Sequence, residues 1–220
     1  MHAICNWGTQ ALRLYLVTDS ALSRGRSLDE VVTAAVQGGV SCVQLREKHL
    51  NTRDFVTLAQ SLKAVLSPLR IPLVINDRID VALACHADGV HLGQSDMPVE
   101  DARRLLPKEV FIGWSVETPH DVTRASNLPV DYLGVSPVFA TPTKTDTSAP
   151  WGLDGLRQIR QSTPLPLVAI GGIHEANALQ VLQAGADGLA VVSAICSADD
   201  PRQAAATLAA ISAKHFKESP

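Results

Sequence analysis

PLVAIGGIHEANALQVLQAGADGLAVVSAI, residues Pro166 to Ile195, decides how the rest of the chain is read. It opens with a short apolar strand from Pro166 to Ile170, turns at Gly171-Gly172, and continues as a helix from Glu175 to Ala184. The turn Gly185-Ala186-Asp187-Gly188 leads into a second apolar strand, Leu189 to Val192, which ends at Ser193. Neither strand alternates apolar with polar residues, the pattern of parallel strands covered on both faces. A Gly-Gly pair after one strand and a small polar residue after the next leave backbone N–H groups uncovered. An anion site at the last two strands of a barrel needs that arrangement. A tight turn that requires glycine only for its backbone angles would use the same pair.

Outward from this stretch, the strand-helix unit recurs. Strands are expected at Leu12–Asp19, Val40–Arg46, Pro72–Asn76, Gly89–Gly93, Val110–Ser115 and Asp131–Ser136. Helices are expected at Leu28–Gln37, from an Asn51 or Thr52 cap to Leu66, and at Ile79–Cys85, Val99–Leu106, Pro119–Ser126, Leu153–Gln161 and Pro201–Ala213. Such alternation without a linker predicts an α/β chain folded as one (β/α)8 TIM barrel over residues 12–215, with tails at 1–11 and 216–220. A weak internal echo supports repeated units: GGVSCVQL, HADGVHLG, PVDYLGVS and GADGLAVV all sit where a helix returns into a strand. A doubly wound open sheet is the competing architecture, but no G-x-G-x-x-G follows the first strand.

Composition narrows the partners. The 220 residues are 46% hydrophobic with a formal charge of −3, so the chain has one large core and no basic surface for nucleic acid. No apolar run approaches the ~20 residues of a membrane span, and MHAICNWGTQALR lacks the form of a signal peptide. Cys5, Cys42, Cys85 and Cys196 are scattered without a CxxC, as for reduced thiols, and the expected compartment is the cytoplasm.

Polar residues gather at the strand ends. Gln44, Arg46 and Lys48 alternate, so in an extended chain they share a face pointing into the barrel mouth, opposite Val43 and Leu45. A surface edge strand could carry the same pattern, but a barrel has no edge, so two inward cations imply an anionic ligand. Asn76-Asp77 ends the third strand and Gly93-Gln94-Ser95-Asp96 follows the fourth. Asp77 and Asp96 therefore read either as two ligands of one hard cation such as Mg2+, or as helix N-caps. No zinc spacing exists among the seven histidines and four cysteines. His91 is expected on the inward face, as a core or a functional residue, and His49, His86, His120 and His174 on loops or the surface. Ser115 lies outside any G-x-S-x-G elbow and reads as a hydrogen-bonding group rather than a nucleophile. The long loop PVFATPTKTDTSAPWG sets Thr141, Thr143 and Thr145 around Lys144, as a lid over an anion would, although an ordinary solvated loop could carry the same residues.

Taken together, LYLVTD, VQLREK, VINDRIDVALACHADGVHLGQSD, GVSPVFATPTK, VAIGGI and DGLAVVSAI resemble the thiamine phosphate synthase family from Tyr15 to Ile195. The resemblance implies a transferase in which the nitrogen of a thiazole phosphate displaces pyrophosphate from 4-amino-2-methyl-5-hydroxymethylpyrimidine diphosphate. It assigns Gln44, Leu45, Arg46, Glu47, Lys48, Asn76, Ser115 and Lys144 to the pyrimidine diphosphate, with Arg46, Lys48, Ser115 and Lys144 closest to the chemistry. It assigns one Mg2+ to Asp77 and Asp96, and the thiazole phosphate to Thr141, Pro142, Thr143, Gly172, Val192 and Ser193. The implied partners are these two small molecules, and a homo-oligomer stays open. One departure is Trp114, where a smaller aliphatic residue is expected; strand parity points it toward the helices. The rival readings are a thiazole tautomerase on the same barrel and a non-catalytic barrel that senses a phosphorylated ligand. Neither needs the strand-two cations together with the paired carboxylates.

Overall fold

The computed structural model describes residues 7–141 and 149–218. Eight strands close a barrel in chain order, every neighbouring pair parallel. They are β1 (Leu14–Val17), β2 (Cys42–Leu45), β3 (Leu73–Asn76), β4 (Gly89–Leu92), β5 (Phe111–Val116), β6 (Tyr132–Val135), β7 (Leu167–Ile170) and β8 (Gly188–Val191). Helices α1 (Leu28–Gln37), α2 (Thr52–Leu66), α3 (Ile79–Ala84), α4 (Val99–Leu105), α5 (Pro119–Ala125), α6 (Gly152–Ser162) and α7 (Glu175–Gln183) follow the first seven strands. A short α8 (Ser193–Cys196) and a long α9 (Pro201–Glu218) follow β8. Among the described residues no helix is long and apolar enough to cross a membrane.

The helices start where their side chains satisfy the first free N–H groups. Ser27 and Glu30 form a capping box at α1, Thr118 and Asp121 another at α5, and Asn51 caps α2 by accepting from the Asp54 N–H. In α1 the apolar stripe Leu28, Val31, Val32 and Ala35 is buried against the strands, as 3.6-residue periodicity demands.

Burial divides into two layers. The larger lies between strands and helices and includes Leu16, Val43, Leu45, Ile75 and Trp114. Trp114 thus faces the helices, with the Arg124 guanidinium 5.4 Å from its ring centroid. The smaller layer fills the barrel: Leu12, Tyr15, Val17, Cys42, Val74, Phe111, Tyr132, Val168 and Ala190. Its aromatic rings fit because glycines stand beside them. A Cβ on Gly89 would lie 2.4 Å from the Phe111 ring, and one on Gly113 would lie 2.0 Å from Tyr132 Cζ.

The internal echo in the sequence has a structural meaning at the amino-terminal end of the barrel. Ser41, Asp88, Asp131 and Asp187 each precede an even-numbered strand. Each side chain accepts from an N–H in the first two residues of the preceding odd strand: Leu14 at 2.9 Å, Leu73 at 2.9 Å, Ile112 at 2.8 Å and Leu167 at 2.8 Å. Each backbone N–H donates back to the carbonyl of that same residue, at 2.7–2.9 Å. Four two-point clasps therefore tie β1 to β2, β3 to β4, β5 to β6 and β7 to β8. Asp131 is 3% exposed, and removing its carboxylate strands a buried N–H. Asp131→Ala is expected to lower unfolding free energy in urea by about 1.5–3 kcal/mol, with the folded fraction fully active because the clasp lies opposite the barrel mouth.

Several features differ from the sequence expectation. The first strand begins at Leu14, not Leu12, because Thr9–Leu12 is a 3-10 helix. Within the segment expected as a loose tail, Ala11 is buried and Trp7 packs on the inner layer. At the other end α9 continues past Ala213 to Glu218, and α8 lies in a segment expected as a connection.

Candidate active site

The carboxyl ends of the strands surround a cavity of about 520 Å³. Its lining includes Gln44, Arg46, Lys48, Asn76, Asp77, Asp96, Ser115, Thr141, Gly172, Val192 and Ser193. Strand two ends at Leu45, short of the expected Arg46, yet Gln44, Arg46 and Lys48 all line the cavity, while Leu45 is wholly buried toward the helices. Glu47 also lies outside the lining and accepts a hydrogen bond from the Ser20 hydroxyl. Pro142, Thr143, Lys144 and Thr145 fall outside the described residues, as does Cys5. Cys42, Cys85 and Cys196 are buried free thiols.

Each strand-two cation rests on a carboxylate. Lys48 Nζ lies 2.5 Å from Asp77 Oδ2, and an Arg46 guanidinium nitrogen lies 3.8 Å from Asp19 Oδ2. Neither Asp77 nor Asp96 caps a helix. The helices after them begin at Ile79 and Val99, with Arg78 and Pro98 in the capping positions. Asp77 instead adopts φ 62°, a left-handed conformation that aspartate tolerates better than most residues. Asp96 accepts from the Gly93 N–H at 2.7 Å and meets the Asp77 carboxylate. Burial first, and then the hydrogen bond with Asp77, raise the Asp96 pKa above the ordinary carboxylate value.

Across the cavity, Gly171 and Gly172 have φ 103° and 65°. A Cβ on Gly172 would stand 2.8 Å from Phe139 Cβ and 2.9 Å from the Ala140 carbonyl oxygen. The pair is therefore demanded both by its backbone angles and by the segment packed over it, and Asn177 Nδ2 holds the Gly172 carbonyl at 2.9 Å. On the neighbouring strand, Val192 breaks the extended conformation at φ −115°, ψ −84°, and Ser193 opens α8 toward the cavity.

Beneath these groups runs a feature the sequence reading missed. Gln44 Nε2 donates to the Tyr15 hydroxyl, which meets the Tyr132 hydroxyl; Tyr132 meets His91 Nδ1, and His91 Nε2 meets Ser115 Oγ. All four contacts are 2.9 Å. These are the chain's two tyrosines. His91 reaches Ser115 across Gly134, where a Cβ would lie 2.7 Å from its Cε1. The available signal was parity, since Tyr15 and Tyr132 occupy inward positions of apolar strands. Of the histidines read as loop or surface residues, His174 is exposed yet stands at the cavity rim.

A family model described as thiamine monophosphate synthase matches residues 14–195. A thiamine-phosphate synthase of Albidiferax ferrireducens is 73% identical over 199 residues, covering 90% of this chain and 91% of the relative. One from Vibrio campbellii is 53% identical over 194 residues, covering 88% and 95%. Among solved structures, a thiamine phosphate pyrophosphorylase from Pyrococcus furiosus superposes with a TM-score of 0.88 at 38% identity, covering 94% of this chain and 98% of its own. A 3-hexulose-6-phosphate synthase, at 18% identity and TM-score 0.66, shares the fold.

Proposed function

The chain belongs to the thiamine monophosphate synthase family, whose members are transferases acting on small molecules, and on that premise we propose how its cavity makes thiamine phosphate. The pyrimidine diphosphate lies along β2 to β5, and the thiazole phosphate lies against the ends of β7 and β8. The bond from the pyrimidine's methylene carbon to the diphosphate oxygen breaks, its electron pair leaving with pyrophosphate. The lone pair of the thiazole nitrogen then forms the new C–N bond. The 4-aminopyrimidine ring stabilises the methylene cation between these events, so no protein nucleophile is required. The protein's tasks are orientation and charge neutralisation.

Arg46, Lys48 and Lys144 carry positive charge to the departing pyrophosphate. Gln44, Asn76 and Ser115 hold the pyrimidine, with Leu45 and Glu47 contributing through the backbone at and just beyond the end of β2. Thr141, Pro142, Thr143, Gly172, Val192 and Ser193 receive the thiazole phosphate. Asp77 and Asp96 fit a magnesium ion: two carboxyl groups in contact need either a shared proton or a cation between them, and the Lys48 ammonium already sits on one. Among the described residues no third His, Cys, Asp or Glu joins them, so diphosphate oxygens and water would complete an oxygen shell. Bound there, Mg2+ would act as a Lewis acid that neutralises charge on the leaving group.

The observation that carries this reading is the pairing, in one cavity, of cations and carboxylates on β2 to β4 with a glycine turn and helix start at β7 and β8. The deciding experiment measures pyrophosphate release by the purified protein with both substrates and Mg2+, against omission of each. Release is expected only when all three are present, matched by formation of thiamine phosphate. Thiazole phosphate binding without release would remove the synthase reading and leave Arg46 and Lys48 unexplained.

A further inference from the structure

The hydrogen-bonded chain from Gln44 to Ser115 has one end that donates by chemistry and another that opens on the cavity. We propose that Tyr132, oriented by Tyr15, is a positioning residue that holds His91 as the neutral Nε2–H tautomer and so obliges Ser115 to donate its own proton into the cavity. The ligand atom above Ser115 must then be an acceptor. Identifying it as an atom of the pyrimidine diphosphate rests on the function proposed above.

The polarity follows from the orientation of the Gln44 amide, whose Nε2 rather than its oxygen faces the Tyr15 hydroxyl. Gln44 Nε2 can only donate, so the Tyr15 oxygen accepts from it. The Tyr15 proton then needs a buried acceptor, and the recorded oxygen within reach is the Tyr132 hydroxyl at 2.9 Å. Were Tyr132 the donor in that contact, the Tyr15 proton would be left facing Cys42, whose neutral thiol is a weak acceptor. Tyr132 accepts from Tyr15, and its own proton goes to His91 Nδ1. An Nδ1 that accepts leaves the ring proton on Nε2, which donates to Ser115 Oγ. Among the described residues Ser115 Oγ has no further protein partner, and it lines the cavity. Burial pushes both phenols well above their ordinary pKa, so each carries one proton throughout the neutral range.

Two glycines make room for the rings. Gly113 and Gly134 are the positions over which Tyr132 and His91 lie, and a Cβ at either would meet a ring within 2.7 Å.

The test reads the tautomer directly, by long-range proton–nitrogen correlation spectra of the 15N-labelled protein without substrates, with His91 assigned from its loss in His91→Gln. A bare Nδ1 and a protonated Nε2 are expected. A protonated Nδ1, in either the other tautomer or the imidazolium, would overturn the proposal. This result does not depend on whether the protein makes thiamine phosphate, so the two readings can fail separately. In Tyr132→Phe the donor to Nδ1 is gone. The spectrum is expected to shift toward the Nδ1–H form, and KM for the pyrimidine diphosphate to rise about tenfold, with KM for the thiazole phosphate unchanged. An unchanged tautomer, or both KM values moving together, would assign Tyr132 to packing alone. Should that variant not fold, the wild-type spectrum decides by itself.

Discussion

Replacing Asp77 by alanine is expected to cut turnover by about 10²–10³-fold, the scale on which one preorganised charge-stabilising group contributes to catalysis. The carboxylate stands where Lys48 and Asp96 converge, and its loss removes the negative charge that the ammonium rests on and that the proposed magnesium ion would need. Alanine has a second effect here. At φ 62° a residue with a Cβ and no polar side chain is strained, which costs about 1–2 kcal/mol of stability. Asp77→Asn separates the two, because asparagine tolerates the left-handed region while lacking the charge. Its thermal midpoint is expected near wild type, with turnover still about 10²-fold down even at raised Mg2+. Wild-type turnover in both purified variants would remove Asp77 from the charge-stabilising role.

Gly113→Ala is expected to be strongly damaging for a single added methyl group. Its Cβ would lie 2.0 Å from Tyr132 Cζ and 2.3 Å from the hydroxyl, and β5 is hydrogen-bonded on both sides, to β4 and β6. Neither strand nor ring has space to give, so overpacking costs about 2–3 kcal/mol. For a chain of this length that lowers the melting temperature by roughly 5–10 °C. The displaced group is the Tyr132 hydroxyl, so the surviving folded protein is also expected to lose affinity for the pyrimidine diphosphate. A thermal scan and a KM measurement on the same preparation check both effects. A wild-type melting temperature would mean that Tyr132 sits elsewhere.

The barrel was legible because period and punctuation agree along the chain. The expected helix Leu28–Gln37 is α1 residue for residue, and Asn51 caps α2 as its side chain predicts. Parity on β2 placed Gln44, Arg46 and Lys48 in the cavity and parity on β5 turned Trp114 outward. What sequence could not weigh was occupancy of space. Tyr15 and Tyr132 look like core residues in apolar strands, and they are buried. Their meeting at the barrel axis follows from closure of the ring, which brings positions 117 apart in sequence within 2.9 Å. Gly113 and Gly134, which make room for Tyr132 and His91, carry no local signal beyond weak strand propensity. For Asp77 and Asp96 the helix-cap reading failed by a few residues of helix start, the least determined quantity in a sequence.

The four clasps at the amino-terminal end bear on how such a ring can be cut and rejoined. Each joins residues only 15 to 27 positions apart, so its loop closes at small entropic cost before the barrel is complete. The barrel is in this sense four two-stranded modules, with seams after β2, β4 and β6. A circularly permuted gene that opens at a seam keeps all four modules intact. One that opens between β5 and β6 places Asp131 and Ile112 near opposite ends of the chain. Their clasp then has to wait for the whole ring, and of the two permutants this one is the slower to refold.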